Sequence, residues 1–185
     1  MQFIKIFSFT LILFLIYCKS KYESMLERES ARHIRKDSLF LDLYLGMPSK
    51  EFFARCWEMN KQHVLMMGPG NLSARYMIDS LMRFPTYMDF YPTFNGDSIS
   101  EMPMKFTYRD WGPWNKTYAC DSLLSDVAQL AHQWYGDGFI KVSKKKKGDI
   151  FVKVEGNRQV KFYKTEPNEV HMIITDLSHP PKPIE

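Results

Sequence analysis

The sequence predicts an α+β fold: an antiparallel sheet with two principal helices packed on one face, arranged as two helix-then-strands units. Two stretches carry apolar residues at helical spacing, one opening near residue 49 and one near residue 121. Each is followed by segments in which apolar and polar residues alternate, the period of a strand with one buried face. Asn95-Gly96 and Gly156-Asn157 stand between such segments as tight-turn signals.

Residues 1–17 have the parts of an export signal. Lys5 supplies a positive start, and residues 6–17 form an apolar run broken only by Ser8 and Thr10. A helix of that length covers roughly 18 Å, short of the ~30 Å hydrocarbon core of a bilayer, so a single spanning anchor is not expected. The run ends in Leu15-Ile16-Tyr17-Cys18, which resembles a bacterial lipobox. That resemblance implies cleavage before Cys18 and acylation of its thiol, with Tyr17 departing from the small residue the pattern wants. The alternative is ordinary cleavage after Ser20. In the first case the protein is tethered to a membrane of the cell envelope, each buried CH₂ of an acyl chain contributing about 0.8 kcal/mol. In the second it is a periplasmic or secreted soluble protein.

Residues 18–38 are charged and poor in strong hydrophobes, with Glu23, Glu27, Arg28, Glu29, Arg32, Arg35 and Lys36. They read as a tether, partly helical at most. Residues 39–176 read as one domain, within the ordinary size range. It begins with Leu39, Leu41, Leu43 and Leu45 in strand-like alternation. Gly46-Met47-Pro48-Ser49 then opens the first helix, with Ser49 as its expected cap and Phe52, Phe53, Cys56 and Trp57 as its apolar stripe. Strands are expected at residues 63–67 and 74–78, then at 87–94 and 99–108 around Asn95-Gly96. Pro92 and Pro103 there predict edge positions or bulges.

The second helix is expected from residue 121 or 122 to Tyr135, with Leu123, Leu124, Val127, Leu130, Ala131 and Trp134 on its apolar face and Gly136 as its stop. Strands at 139–143, 150–155, 159–164 and 170–175 complete the domain. Val152, Val154, Val160, Phe162, Val170, Met172 and Ile174 are expected to share one inward face. Residues 177–185 form a Pro-rich tail. The element order, with Gly46-Met47 before the first helix, is similar to small envelope proteins of the BamE (SmpA/OmlA-like) and β-lactamase-inhibitor-protein type. The chain also resembles uncharacterised Bacteroidota lipoproteins, which implies an address and no activity.

Apolar residues at 45% and aromatic residues at 15% suffice for a packed core and exclude general disorder. A net charge of +4 is too small for the dense basic surface of a nucleic-acid binder, so no nucleic-acid partner is expected. No metal-protease, nucleophile-elbow, phosphate-loop, dinucleotide or Cys-x-x-Cys motif is present, and no catalytic residue, metal or cofactor is assigned. His33, His63, His132, His171 and His179 are isolated from one another. Met66, Met67, Met77, Met82, Met88, Met102 and Met104 crowd one half, where packing is favoured over a soft-metal role.

Tyr108, Trp111, Trp114 and Tyr118 form the densest aromatic stretch with Phe106. They are the candidate binding residues for an envelope protein or a glycan; the alternative is a loop folded back with its rings buried. Cys56 and Cys120 are the candidate disulfide pair of an exported chain, the alternative being Cys56 as a small buried hydrophobe. Residues 144–147 are lysines in a strand connection, suited to anionic headgroups or simply to a solvated tip. Asp-Ser-Leu at Asp37, Asp79 and Asp121 and Asp-Ser-Ile at Asp97 are similar to the O-glycosylation acceptor pattern of exported Bacteroidota proteins. The functional expectation is a non-enzymatic binding lipoprotein. The alternatives are an envelope hydrolase whose site forms only in the fold, or an assembly accessory.

Overall fold

A computed structural model describes residues 19–144, 148–165 and 167–182. The lipobox cysteine Cys18, the export signal and residues 145–147 of the lysine run lie outside the described residues. Among the described residues three helices, α1 (Lys21–Ser30), α2 (Ser49–Lys61) and α3 (Cys120–Tyr135), pack on one antiparallel sheet. Its strands are β1 (Leu65–Met67), β2 (Ala74–Ile78), β3 (Thr86–Phe90), β4 (Thr93–Asn95) and β5 (Ser98–Tyr108), followed by β6 (Ile140–Lys144), β7 (Gly148–Glu155), β8 (Arg158–Lys164) and β9 (Val170–Asp176). The order across the sheet is β1-β2-β3-β5-β9-β8-β7-β6, with β4 pairing β5 beyond the end of β3.

The α+β architecture is therefore as expected, with α2 and α3 on one face. Tyr76, Met88, Phe106 and Val170 stand opposite one another across four strands. Met104, Met172 and Phe162 form a parallel row. These residues, Phe52 and Met59 of α2, and Leu123, Val127 and Leu130 of α3 belong to one core cluster. Most of the methionine-rich half is thus packing: Met82, Met88, Met102 and Met104 are buried.

The segment expected to be a tether is instead part of the fold. Ser20 and Glu23 form a reciprocal capping box that starts α1. Met25 is buried against Val152 and Val154, with Tyr22, Leu26, Ile140 and Val142 around them. This contact corrects the expected inward face. Val152 is paired with Lys161 and Val154 with Gln159, whereas Phe151 is paired with Phe162. Paired residues share a face, so Val152 and Val154 point away from α3, and α1 covers them on the reverse side. Both faces of β7 are buried, and alternation alone could not say which set of residues faced which helix.

Three smaller expectations also change. Residues 39–45 turn rather than extend: Leu41 and Asp42 have φ of 51° and 58°, and the Leu39 and Leu43 amides donate to Leu43 O and Phe40 O. Pro48, not Ser49, is the N-cap of α2, and the Ser49 hydroxyl donates to Asp97 instead. Pro103 sits within β5, inside the sheet order, where its missing N–H has a local explanation. Pairing of β3 ends at Phe90 with Met104, and that of β4 begins at Thr93 with Glu101, so Pro103 faces the gap between them.

Residues 31–38 carry the chain around the end of the sheet, from α1 on one face to Leu39 and Phe40 on the other. They cross at the β7–β8 turn, where Gly156 and Asn157 receive them. The Lys36 amide donates to Asn157 Oδ1 at 2.6 Å, and Asn157 Nδ2 donates to Asp37 Oδ1 and Asp176 Oδ1 at 2.9 and 3.1 Å. Arg158, 5% exposed, donates to the Ser38 carbonyl and lies over the Tyr135 ring. Burial would raise the Glu29 and Asp37 carboxyls. Hydrogen bonds from Arg28 and the Gly156 amide to Glu29, and from Arg35 and Asn157 to Asp37, outweigh it and hold both below their ordinary values. Among the described residues no helix is long and apolar enough to cross a membrane.

Candidate binding loop

The four aromatic candidates separate into supports and a tip. Tyr108 closes β5 and is 2% exposed. Its ring meets those of Phe84 and Tyr118 edge-on, at 5.5 and 5.6 Å, while Phe84 and Tyr118 are 4.9 Å apart. Trp111 and Tyr118 are partly buried against the core. Tyr108, Tyr118 and Trp111 therefore hold the loop down, as in the folded-back alternative, and do not form an exposed platform with Trp114. Trp114 alone is fully presented, with 85% of its surface in solvent.

The loop that presents it is locally tied. The Trp111 amide donates to Tyr108 O, the Asn115 amide to Gly112 O, and the Tyr118 amide to Asn115 O. Asn115 Oδ1 accepts from the Thr117 amide at 3.1 Å, capping the short turn at Lys116–Tyr118. Gly112 lets the indole lie over the backbone, since a Cβ there would come within 2.9 Å of the ring. Arg109 and Asp110 form an ion pair at the base, and Lys116 is exposed nearby in sequence.

Beneath the loop lies Asp126 of α3, 2% exposed. It accepts from Tyr108 Oη at 2.7 Å and from the Arg83 amide at 3.2 Å, and it pairs with the Arg83 guanidinium. Arg83 also donates to the Ser122 carbonyl, which locks the β2–β3 connection to α3. Burial and the Asp126 carboxylate push the Tyr108 phenol well above its usual value, so it stays a neutral donor at physiological pH.

The other chemical candidates do not converge. Cys56 and Cys120 are both free thiols, so the candidate pair is not bridged in this structure. Cys56 sits on the inner flank of α2, and burial raises it to about 11. Cys120 opens α3, donates to Glu169 O at 3.3 Å and is likewise raised by burial. Thiols so protonated are weak nucleophiles. Among the described residues no group of three or more His, Cys, Asp or Glu is arranged to hold a metal ion. Of the acceptor-like serines, Ser38 is bonded to Arg158, whereas Ser80 beside Asp79 is exposed.

Sequence reasoning missed a second exposed apolar area. Phe52, Cys56 and Met59 turn α2 toward the core, but Phe53 and Trp57 remain 49% and 63% exposed. Val64, Met66, Met67 and Leu72 are exposed around β1. The available signal is the width of the α2 stripe, since adjacent residues Phe52-Phe53 and Cys56-Trp57 cannot all face one side of a helix. A cleft of about 770 Å³ opens beside β1, with His63, Tyr76, Met77 and Asp79 in its wall.

No protein-family model, curated protein or solved structure matches this chain.

Proposed function

We propose that the chain is an exported protein held at a membrane by acylated Cys18, whose α+β domain is a non-enzymatic binding module for an envelope protein or glycan. The observation that carries the binding reading is Trp114. A large indole kept 85% exposed on a hydrogen-bonded loop forgoes the burial that its neighbours obtain. Such a ring supplies rigid contact area at small conformational cost, the property of interface anchors and of residues that stack on sugar rings. The lipobox-like Leu15-Ile16-Tyr17-Cys18 supports the address.

Trp114→Ala tests the binding module. Capture of envelope proteins or immobilised glycans should weaken by at least about tenfold, while unfolding stability stays within about 0.5 kcal/mol of wild type. Unchanged capture by the variant would remove the indole from the binding surface. Mass spectrometry of the mature N-terminus tests the address. The expected species begins at a diacylated Cys18, a chain beginning at Lys21 would mean ordinary secretion, and an intact Met1 would end the export reading.

A further inference from the structure

We infer that the open β1 edge and the outer flank of α2 form a self-association surface, which pairs two copies of this chain about a two-fold axis near Met66. The two ends of the sheet differ in kind. At one end β6 carries the exposed Lys141, the usual defence of an open edge. At the other, β1 reads Leu65-Met66-Met67, with no charge and with Met67 68% exposed.

The hydrogen-bond pattern says which groups of β1 are open. The Gly68 amide donates to Ser73 O, and the β1–β2 register extends that pairing through Met67–Ala74, Met66–Arg75 and Leu65–Tyr76. Antiparallel pairs alternate between bonded and non-bonded, so Gly68–Ser73 and Met66–Arg75 are the bonded ones. The peptide groups of Leu65 and Met67 therefore point away from β2. Asn60 Nδ2 of α2 already reaches Leu65 O at 3.0 Å, which agrees with the direction of that carbonyl and leaves its second lone pair open. The two outward residues flank Met66 symmetrically. This is the arrangement a two-fold antiparallel pairing needs, Leu65 against Met67 of the second copy and Met67 against its Leu65.

The helix flank obeys the same axis. Asn60, Trp57 and Phe53 are spaced three and four residues apart and so share one side of α2, the side that overhangs the edge. Pairing through β1 places α2 of the second copy on the same face of the joined sheet, running antiparallel, with Phe53 and Trp57 across from their equivalents. Glu58 and Lys61, a 3.5 Å pair of opposite sign beside that stripe, would meet the same pair reversed. Phe53, Trp57, Val64, Met66, Met67 and Leu72 expose on the order of 600 Å² of side chain, most of the ~800 Å² per partner of a standard interface. A foreign strand could bond the same backbone groups, but a second copy would also cover the exposed Phe53 and Trp57 of the adjoining α2 flank.

Met66→Cys in the full chain, held in mild detergent, tests the register. At a non-bonded antiparallel pair the two Cα atoms lie about 4.5 Å apart, within disulfide reach. Mild oxidation should convert most of the variant to a covalent dimer, while wild type, which retains Cys56 and Cys120, stays uncrosslinked. Sedimentation velocity should show wild type dimeric at about 100 μM, above the micromolar limit for weak interfaces of this size. Met67→Lys should be monomeric with an unchanged melting temperature, because Met67 is mostly exposed. A monomeric wild type, a dimer indifferent to Met67→Lys, or crosslinking of Met66→Cys no greater than the control would each overturn the inference. Trp114→Ala should leave the dimer intact, so failure here is distinct from failure of the proposed binding loop.

Discussion

Gly156→Ala should cost about 3 kcal/mol of unfolding stability and loosen the chain between α1 and residue 39. Two effects combine at this position. Gly156 has φ of +59°, which an L side chain occupies at a cost of roughly 1–2 kcal/mol. An added Cβ would also overlap the Ile34 carbonyl oxygen and come within 3.0 Å of its carbon. The obstacle is backbone, which cannot rotate away, so residues 31–38 must lift. Lifting stretches the Lys36–Asn157 bond and the contact of the Gly156 amide with Glu29, each worth about 1 kcal/mol or more where charge is involved. Gly96→Ala is the control. Gly96 has φ of +64°, and a methyl group there would meet nothing within 4 Å, so only the backbone cost remains. Urea unfolding of both variants, with limited proteolysis between residues 31 and 38, separates the two effects. Equal losses in the two variants would mean that the crossing segment adds nothing.

The crossing also explains what the sequence could and could not disclose. Most strands and both core helices are legible because period and turn residues are local properties: β2 and the Gly156-Asn157 hairpin fall where alternation and turn chemistry put them. The docking of α1 is not. Its buried side is narrow, with Met25 and Glu29, and it is surrounded by charges that read as solvated. Without that helix, a sheet covered on one face is the economical reading, and it assigns Val152 and Val154 to the wrong side. Asn157 likewise reads as a turn residue, yet its side chain bonds Lys36 and Asp37 across more than a hundred residues of sequence.

The binding loop shows the same division between local and distant information. Density of aromatic residues marks the segment from Tyr108 to Tyr118, but composition cannot separate a ring that anchors a loop from one that the loop displays. That separation depends on Phe84 and Asp126, partners contributed by the β2–β3 connection and by α3. On α2, by contrast, the adjacent pairs Phe52-Phe53 and Cys56-Trp57 already imply more apolar surface than one face can bury. Together, Trp114 and the α2–β1 flank give the domain two separate apolar surfaces, one at the start of its first helix-then-strands unit and one on the loop that follows that unit.

Asp126→Ala should be the most damaging single change near the binding loop, with a loss of about 2–4 kcal/mol, because three donors lose a buried acceptor while the Arg83 side chain left behind is 53% exposed and stays hydrated. The carboxylate is 2% exposed and satisfies three donors at once: the Tyr108 hydroxyl, the Arg83 amide and the Arg83 guanidinium. Removing it leaves the Tyr108 hydroxyl buried without its acceptor, leaves the β2–β3 connection tied to α3 only through the Arg83–Ser122 bond and opens a small void under the ring cluster. Tyr108→Phe is the informative companion. It deletes one donor but leaves Asp126 paired with Arg83, so the expected loss is only about 1–2 kcal/mol. Thermal and urea unfolding should therefore rank Asp126→Ala well below Tyr108→Phe, and Tyr108→Phe below wild type. A near-neutral Asp126→Ala would show that Arg83 and Tyr108 do not depend on this carboxylate. Because Trp114 stands on the loop that Tyr108 and Tyr118 hold, Asp126→Ala should also weaken capture, but only together with stability, whereas Trp114→Ala should weaken capture alone.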